Sequence, residues 1–101
     1  MNLTLSVING FEMGKTKSFT TFPISIGRLP DNEFQINDSC VSRRHCTIFK
    51  DDVVFMISDL KSTNGTYLNK TKLDQPIAIT DGDSLILGET LLIVKVEDKD
   101  I

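Results

Sequence analysis

Val41-Ser42-Arg43-Arg44-His45 and Asp59-Leu60-Lys61-Ser62-Thr63-Asn64-Gly65-Thr66 are two polar clusters separated by two apolar, β-like runs. Residues 46–50 alternate polar and apolar side chains, Asp51-Asp52 is a turn signal, and Val53-Val54-Phe55-Met56-Ile57 is strongly apolar. The two clusters read as a place to hold one anion. The hydroxyls of Ser42 and Thr63 can donate hydrogen bonds, guanidinium groups donate in pairs, and Asn64-Gly65 offers a tight turn with free backbone N–H groups. Ile26-Gly27-Arg28 sets a further arginine just after a strand-like run. The expectation is three loops meeting at one end of a β-sandwich around one anion.

The rest of the chain fits such a frame. Leu3, Leu5 and Val7 alternate with polar residues and stop at Asn9-Gly10, and Met13-Gly14 is a second turn signal. Residues 18–22 are β-rich and end at Pro23. Residues 24–26 resume as a strand, with Gly27 where the backbone is expected to bend. Leu29-Pro30-Asp31-Asn32 is a polar turn, residues 33–36 a short strand, and residues 37–39 a loop. After the second cluster, residues 66–68 and 71–73 pair across Asn69-Lys70. Residues 77–79 precede the tight turn Asp81-Gly82-Asp83, and residues 84–87 lead through Gly88-Glu89 to a last strand over 90–96. The charged tail 97–101 is expected to fray. The pattern predicts an all-β fold: about eleven short strands in two twisted, largely antiparallel sheets, one domain over 1–101 with its core over about 3–96.

Composition narrows the function. The chain has 101 residues, a formal net charge of -3 and a sequence pI of about 5.0, which argues against a nucleic-acid partner. All three arginines, Arg28, Arg43 and Arg44, nevertheless fall within seventeen positions, a concentration suited to one specific anion rather than a polyanion. Cys40 and Cys46 form no CxxC pair, and one histidine does not complete a zinc site with them, so both are expected reduced and partly buried. No cofactor is expected. No basic leader and no apolar run of membrane-spanning length is visible, so a cytoplasmic monomer without a membrane partner is expected.

Catalytic readings fail on their own terms. His45 lies near serines and aspartates, but nothing supplies an oxyanion hole beside a substrate cleft, so no catalytic residue is assigned. Asp59, Asp81 and Asp83 lack the ligand density of a calcium loop and read as turn-bracing carboxylates. Ser62-Thr63-Asn64-Gly65 is not a phosphate-binding P-loop, since no Gly-Lys-Ser/Thr follows.

In order along the chain, Ile26-Gly27-Arg28, Ser42-Arg43-Arg44-His45, and Asp59 through Asn69 followed by Asp81-Gly82-Asp83 and Leu87-Gly88 resemble a forkhead-associated (FHA) domain. The likeness runs from the strand at Leu3 to that at Val94. It implies an eleven-stranded β-sandwich whose end loops bind phosphothreonine peptides, a non-enzymatic interaction module in Ser/Thr kinase-linked signalling. It also implies roles. Arg28 would bond the phosphate and help hold the peptide backbone, Ser42 and Arg43 would bond phosphate oxygens, Thr63 would support that side of the pocket, and Asn64 would bond the peptide main chain. Gly27, His45 and Gly65 would be structural, with His45 bracing the loops.

Residue chemistry agrees. A phosphothreonine carries about -1.5 to -2 charge and three acceptor oxygens, and two arginines with a hydroxyl can satisfy them. Adjacent side chains on an extended stretch point opposite ways, so at most one of Arg43 and Arg44 faces the pocket, and the family pattern selects Arg43. Two departures stand out. Cys40 lies in the loop that in this family often reads the residue three after the phosphothreonine, and its neutrality favours an apolar choice there. Asn69-Lys70 lacks the glycine that usually follows the asparagine. The competing reading is a scaffold domain of the same fold that docks partners without phosphate.

Overall fold

A computed structural model describes residues 1–97; of the tail 97–101 expected to fray, Glu97 instead ends the last strand opposite Asn2, and residues 98–101 lie outside the described residues. Eleven strands form two sheets that pack as a sandwich. They are β1 (Asn2–Asn9), β2 (Thr16–Phe19), β3 (Ile24–Gly27), β4 (Phe34–Gln35), β5 (Cys46–Asp51), β6 (Val54–Asp59), β7 (Thr66–Leu68), β8 (Thr71–Lys72), β9 (Ile77–Ile79), β10 (Ser84–Leu87) and β11 (Thr90–Glu97). One sheet has the order β2-β1-β11-β10-β7-β8 and the other β4-β3-β5-β6-β9. Only the β3–β4 pair is parallel among them.

Alternation in the sequence becomes one buried face per strand. Leu3, Leu5 and Val7 of β1, Leu92 and Val94 of β11, and Leu85 and Leu87 of β10 face inward. They meet Ile24, Ile26, Ile48, Phe55 and Ile57 of the other sheet. Each such side chain contributes about 1.5–3 kcal/mol by leaving water. Outside, the β1–β2 pair carries a hydroxyl ladder: Thr4 with Ser18 at 2.6 Å and Ser6 with Thr16 at 2.8 Å.

That ladder explains a shifted boundary. The strand expected over 18–22 runs over Thr16–Phe19 instead, because Thr16 and Lys17 pair with Ser6 and Leu5. Phe22 leaves the ladder and packs its ring 4.8 Å from that of Phe55. The β5–β6 turn is also one residue later than expected: Asp51 pairs with Val54, so Asp52 and Val53 form the two-residue loop, with Asp52 at φ 57°. The strands read over 33–36 and 71–73 shorten to Phe34–Gln35 and Thr71–Lys72.

Asn69-Lys70 is a two-residue hairpin loop, with Leu68 opposite Thr71 and φ values of 49° and 73°. Positive φ at both positions fits a type I′ turn, which favours Asn-Gly. Lysine tolerates that conformation poorly because its Cβ crowds the backbone. Lys70→Gly is therefore expected to stabilise the fold by about 0.5–1 kcal/mol, read as a higher urea midpoint at unchanged m-value.

Strand register brings the polar loops together. Gly27 ends β3 next to Cys46 at the start of β5, and Asp59 ends β6 opposite Cys46. Leu87 pairs with both Thr66 and Thr90, and Asn9 pairs with Leu91. The connections after β1, β3, β4, β6 and β10 thus share one end of the sandwich, and the β5–β6 hairpin lies at the other.

Candidate functional site

Gly27 is where the site begins. The chain bends just after it, at Arg28 and Leu29, but its own φ is not in the left-handed region, so the bend itself does not require glycine. The glycine serves close approach instead: a Cβ there would overlap the Arg43 carbonyl oxygen and lie 2.9 Å from both the Arg43 carbonyl carbon and Asn32 Nδ2. The approach lets β3 continue into main-chain bonds with the next loop. Arg28 N–H donates to Ser42 O at 3.0 Å and Leu29 N–H to Arg43 O at 3.3 Å. Asn32, buried, donates through Nδ2 to Leu29 O at 2.8 Å and to Arg43 O at 2.9 Å.

Arg28 is half-buried, and its Nε donates to Val41 O at 3.0 Å. Its terminal Nη groups have no hydrogen-bond partner among the described residues. One bond aligns the guanidinium along residues 41–43 and leaves its outer donors for a ligand. Arg43 is exposed and has no hydrogen-bond or ion-pair partner among the described residues. Arg44 differs: it pairs with Asp31 and reaches Asn32 Oδ1 at 3.5 Å.

Ser42 links to the second cluster. Its Oγ accepts the Thr63 N–H at 3.0 Å. With an acceptor site filled, the hydroxyl hydrogen remains available to an anion. The Thr63 side chain is exposed, with no partner for its hydroxyl among the described residues. Asn64 donates through Nδ2 to Cys40 O at 2.8 Å, which leaves Oδ1 and one amide hydrogen without a partner among the described residues.

His45, fully buried, clamps these loops from below. Its Nδ1 accepts the Ser42 N–H at 3.0 Å, so Nε2 carries the hydrogen and donates to Gly65 O at 2.8 Å. The tautomer is fixed by the two neighbours, and no lone pair is left to act as a base. Gly65 sits at φ +83°, and a Cβ there would stand 2.7 Å from Lys72 Cε. Its N–H donates to Ser62 Oγ at 2.9 Å.

Two carboxylates brace the loops. Asp59 accepts from Ser62 N at 3.0 Å, Ser62 Oγ at 2.6 Å and Thr66 Oγ1 at 2.7 Å. Burial pushes its carboxyl up, but these donors outweigh burial and hold it below the ordinary value of 3.8. Asp38, which the sequence marks only as part of a loop, ties the β4–β5 loop to the β10–β11 hairpin. It accepts from Cys40 N at 2.8 Å, Glu89 N at 2.8 Å and Thr90 Oγ1 at 2.9 Å. Burial again raises its carboxyl and the hydrogen bonds more than reverse the effect, so it too lies below 3.8. The sequence signal was faint: an Asx-type turn at Asp38-Ser39-Cys40 and a glycine hairpin fifty residues away.

Lowered native values make these groups acid-labile. Their stabilisation is complete above the unfolded carboxylate range and is lost as pH falls from about 3.8 through the lower native value. Asp59→Asn is expected to cost about 1–2 kcal/mol at neutral pH, with the gap to wild type closing as pH falls below the unfolded carboxylate range. Urea unfolding at a series of pH values reads both limits.

Cys40 is half-buried and Cys46 is buried, and both are free thiols. Burial pushes the Cys46 thiol far up, which leaves it inert. No helix among the described residues is long and apolar enough to cross a membrane.

Gly27, Arg28, Ser42, Arg43, His45, Thr63, Asn64 and Gly65 therefore form one connected end of the sandwich. Chemically it is a cradle of unpaired donors on a braced frame. Among known proteins, FhaA of Mycobacterium tuberculosis (strain ATCC 25618 / H37Rv), described as an FHA domain-containing protein, is 37% identical over 95 residues, 94% of this chain. The chain spans only 18% of the length of FhaA. A solved structure from a structural and functional analysis of phosphothreonine-dependent FHA domain interactions is 36% identical, with a TM-score of 0.87 over 97% of this chain and 99% of that one. The crystal structure of the FhaA FHA domain complexed with the intracellular domain of Rv3910 is 38% identical, with a TM-score of 0.83 over 92% of this chain and 99% of that one. Residues 24–88, from β3 to the β10–β11 turn, match the model of the FHA domain, and the chain belongs to that forkhead-associated family.

Proposed function

We propose that the chain binds phosphothreonine peptides through Arg28, Ser42, Arg43, Thr63 and Asn64, and so joins a protein phosphorylated by a Ser/Thr kinase to whatever else this chain carries. One observation supports the reading most: the Ser42 hydroxyl has its acceptor site filled by Thr63 N–H, and Arg43, in the same loop, has no partner among the described residues. Such donors favour an anion because a free guanidinium and a hydroxyl hydrogen make charge-assisted bonds to phosphate oxygens. Gly27, His45 and Gly65 support the loops without touching the ligand. The relatives point the same way: one solved FHA structure comes from work on phosphothreonine-dependent interactions, and FhaA's FHA domain is complexed with an intracellular domain of another protein.

The role is binding rather than catalysis, since His45 has both ring nitrogens committed to the fold. A net charge of -3 supports a protein partner over a nucleic acid. Residues 3–96 act as one domain, monomeric and cytoplasmic in this reading. The test is anisotropy with degenerate phosphothreonine, phosphoserine and unphosphorylated peptide libraries. Binding of the phosphothreonine set alone is expected. Equal binding of all three sets would favour the phosphate-independent scaffold.

A further inference from the structure

A cleft of about 550 Å³ opens beside the phosphate cradle, between the β1–β2 loop and the β4–β5 and β10–β11 loops. Asn9, Phe11, Asn37, Asp38, Ser39 and Glu89 line it. Its walls are held in place. The position of Gly10 is fixed against the β10–β11 hairpin, where a Cβ would lie 3.1 Å from Glu89 O. On the far side of the β1–β2 loop, Lys15 Nζ donates to Gln35 O. Asp38 fastens the remaining two walls together through its three accepted bonds.

The lining has a distinct chemistry. Phe11 is 88% exposed, an unusual placement for a large aromatic on a braced loop. Glu89 is exposed, and its one side-chain hydrogen bond among the described residues is a weak one, from Cys40 Sγ at 3.8 Å. The lining holds two carboxylates and an aromatic face but no basic side chain. Past Cys40 along the same loop, Arg28 Nε bonds Val41 O and Arg43 follows Ser42. Charge is thus sorted along one surface: a basic cradle, then an acidic and aromatic cleft.

Resting on the phosphothreonine reading, we infer that this cleft selects a lysine or arginine side chain of the same phosphopeptide, with Glu89 pairing the cation and Phe11 stacking on it. The chemistry is that of a cation over an aromatic face beside a free carboxylate. Reach agrees. Asp38 is four residues from Ser42, so at most about 14 Å of extended chain separates cleft and cradle. A basic residue within about four positions of the phosphothreonine spans that distance. Cys40 alone suggested an apolar preference. Its sulfur, however, faces Glu89, and the carboxylate sets the character of the cleft.

The test uses fluorescein-labelled phosphothreonine peptides with Ala, Lys, Arg or Glu placed in turn at each of the four positions on either side. At one position Lys or Arg is expected to bind about three- to tenfold tighter than Ala, and Glu more weakly. In Glu89→Gln the Lys-to-Ala affinity ratio is expected to fall toward one. In Glu89→Lys it is expected to invert in favour of Glu. Phe11→Ala should reduce the ratio without inverting it. Phosphate-dependent binding with no basic preference, or a preference that survives Glu89→Lys, overturns this inference and leaves the phosphothreonine reading intact. Absence of phosphate-dependent binding to every peptide overturns both.

Discussion

Arg43→Ala is expected to weaken phosphothreonine-dependent binding by about 10- to 150-fold while leaving the urea midpoint unchanged. The size follows from chemistry: a hydrogen bond to a charged group contributes about 1.5–3 kcal/mol net, and 1.4 kcal/mol is tenfold in affinity. A bidentate grip would add to this. The unchanged midpoint follows from the fold, where the Arg43 side chain is exposed and bonds to none of the described residues. Arg28→Ala should behave differently. It loses its phosphate donors too, but it also abandons the Nε–Val41 O bond, so a stability loss of about 0.5–1.5 kcal/mol accompanies the loss of binding. Arg44→Ala breaks an exposed pair with Asp31, worth about 0–1 kcal/mol, and a long contact to Asn32 Oδ1 at 3.5 Å, and binding should stay near wild type. Calorimetric titration of one library-selected phosphopeptide against all three variants separates these cases. Wild-type affinity in Arg43→Ala would remove Arg43 from the site.

The contrast between Arg43 and Arg44 shows what the sequence could tell. Alternation would let at most one of them face the pocket on an extended stretch, but residues 41–45 form no strand and bend at Arg43 and Arg44; Arg44 is set apart instead by its bonds to Asp31 and Asn32. Alternation was legible where strands do form: Leu3, Leu5 and Val7 show one buried face in the string of letters itself. What alternation does not carry is anything set by contacts distant in sequence. The strand at Thr16 begins early because of hydroxyl partners on β1, and the β5–β6 turn shifts by one residue through register with no change in composition. Asp38 is the clearest case. Its partners Glu89 and Thr90 are some fifty residues away, so no local pattern marks it as the bolt between two loops. Asn32 is similar, since a turn asparagine looks solvated until its amide is seen buried against Arg43 O.

Gly27→Ala is the substitution expected to cost most, about 3 kcal/mol, although it adds a single methyl in an ordinary extended conformation. Overpacking of a tight site costs about 1–3 kcal/mol when neighbours can shift. Here they resist. The Arg43 carbonyl that a Cβ would overlap is itself held by Leu29 N–H at 3.3 Å and Asn32 Nδ2 at 2.9 Å. Relief requires the Ser42-Arg43 backbone to withdraw, which breaks those bonds or the adjoining bond from Arg28 N–H to Ser42 O. A second consequence follows from the same geometry: Ser42 and Arg28 lose their relative placement, so phosphopeptide affinity should fall even under conditions where the variant remains folded. Gly82→Ala is the control. Gly82 sits at φ +89° with nothing within 4 Å of a Cβ, so its cost is conformational alone, about 1–2 kcal/mol, and its turn lies away from the cradle. Urea unfolding with peptide titration in dilute urea reads both variants. If Gly27→Ala costs no more than Gly82→Ala and binds as wild type, the close approach of β3 to Arg43 is not what holds the cradle together.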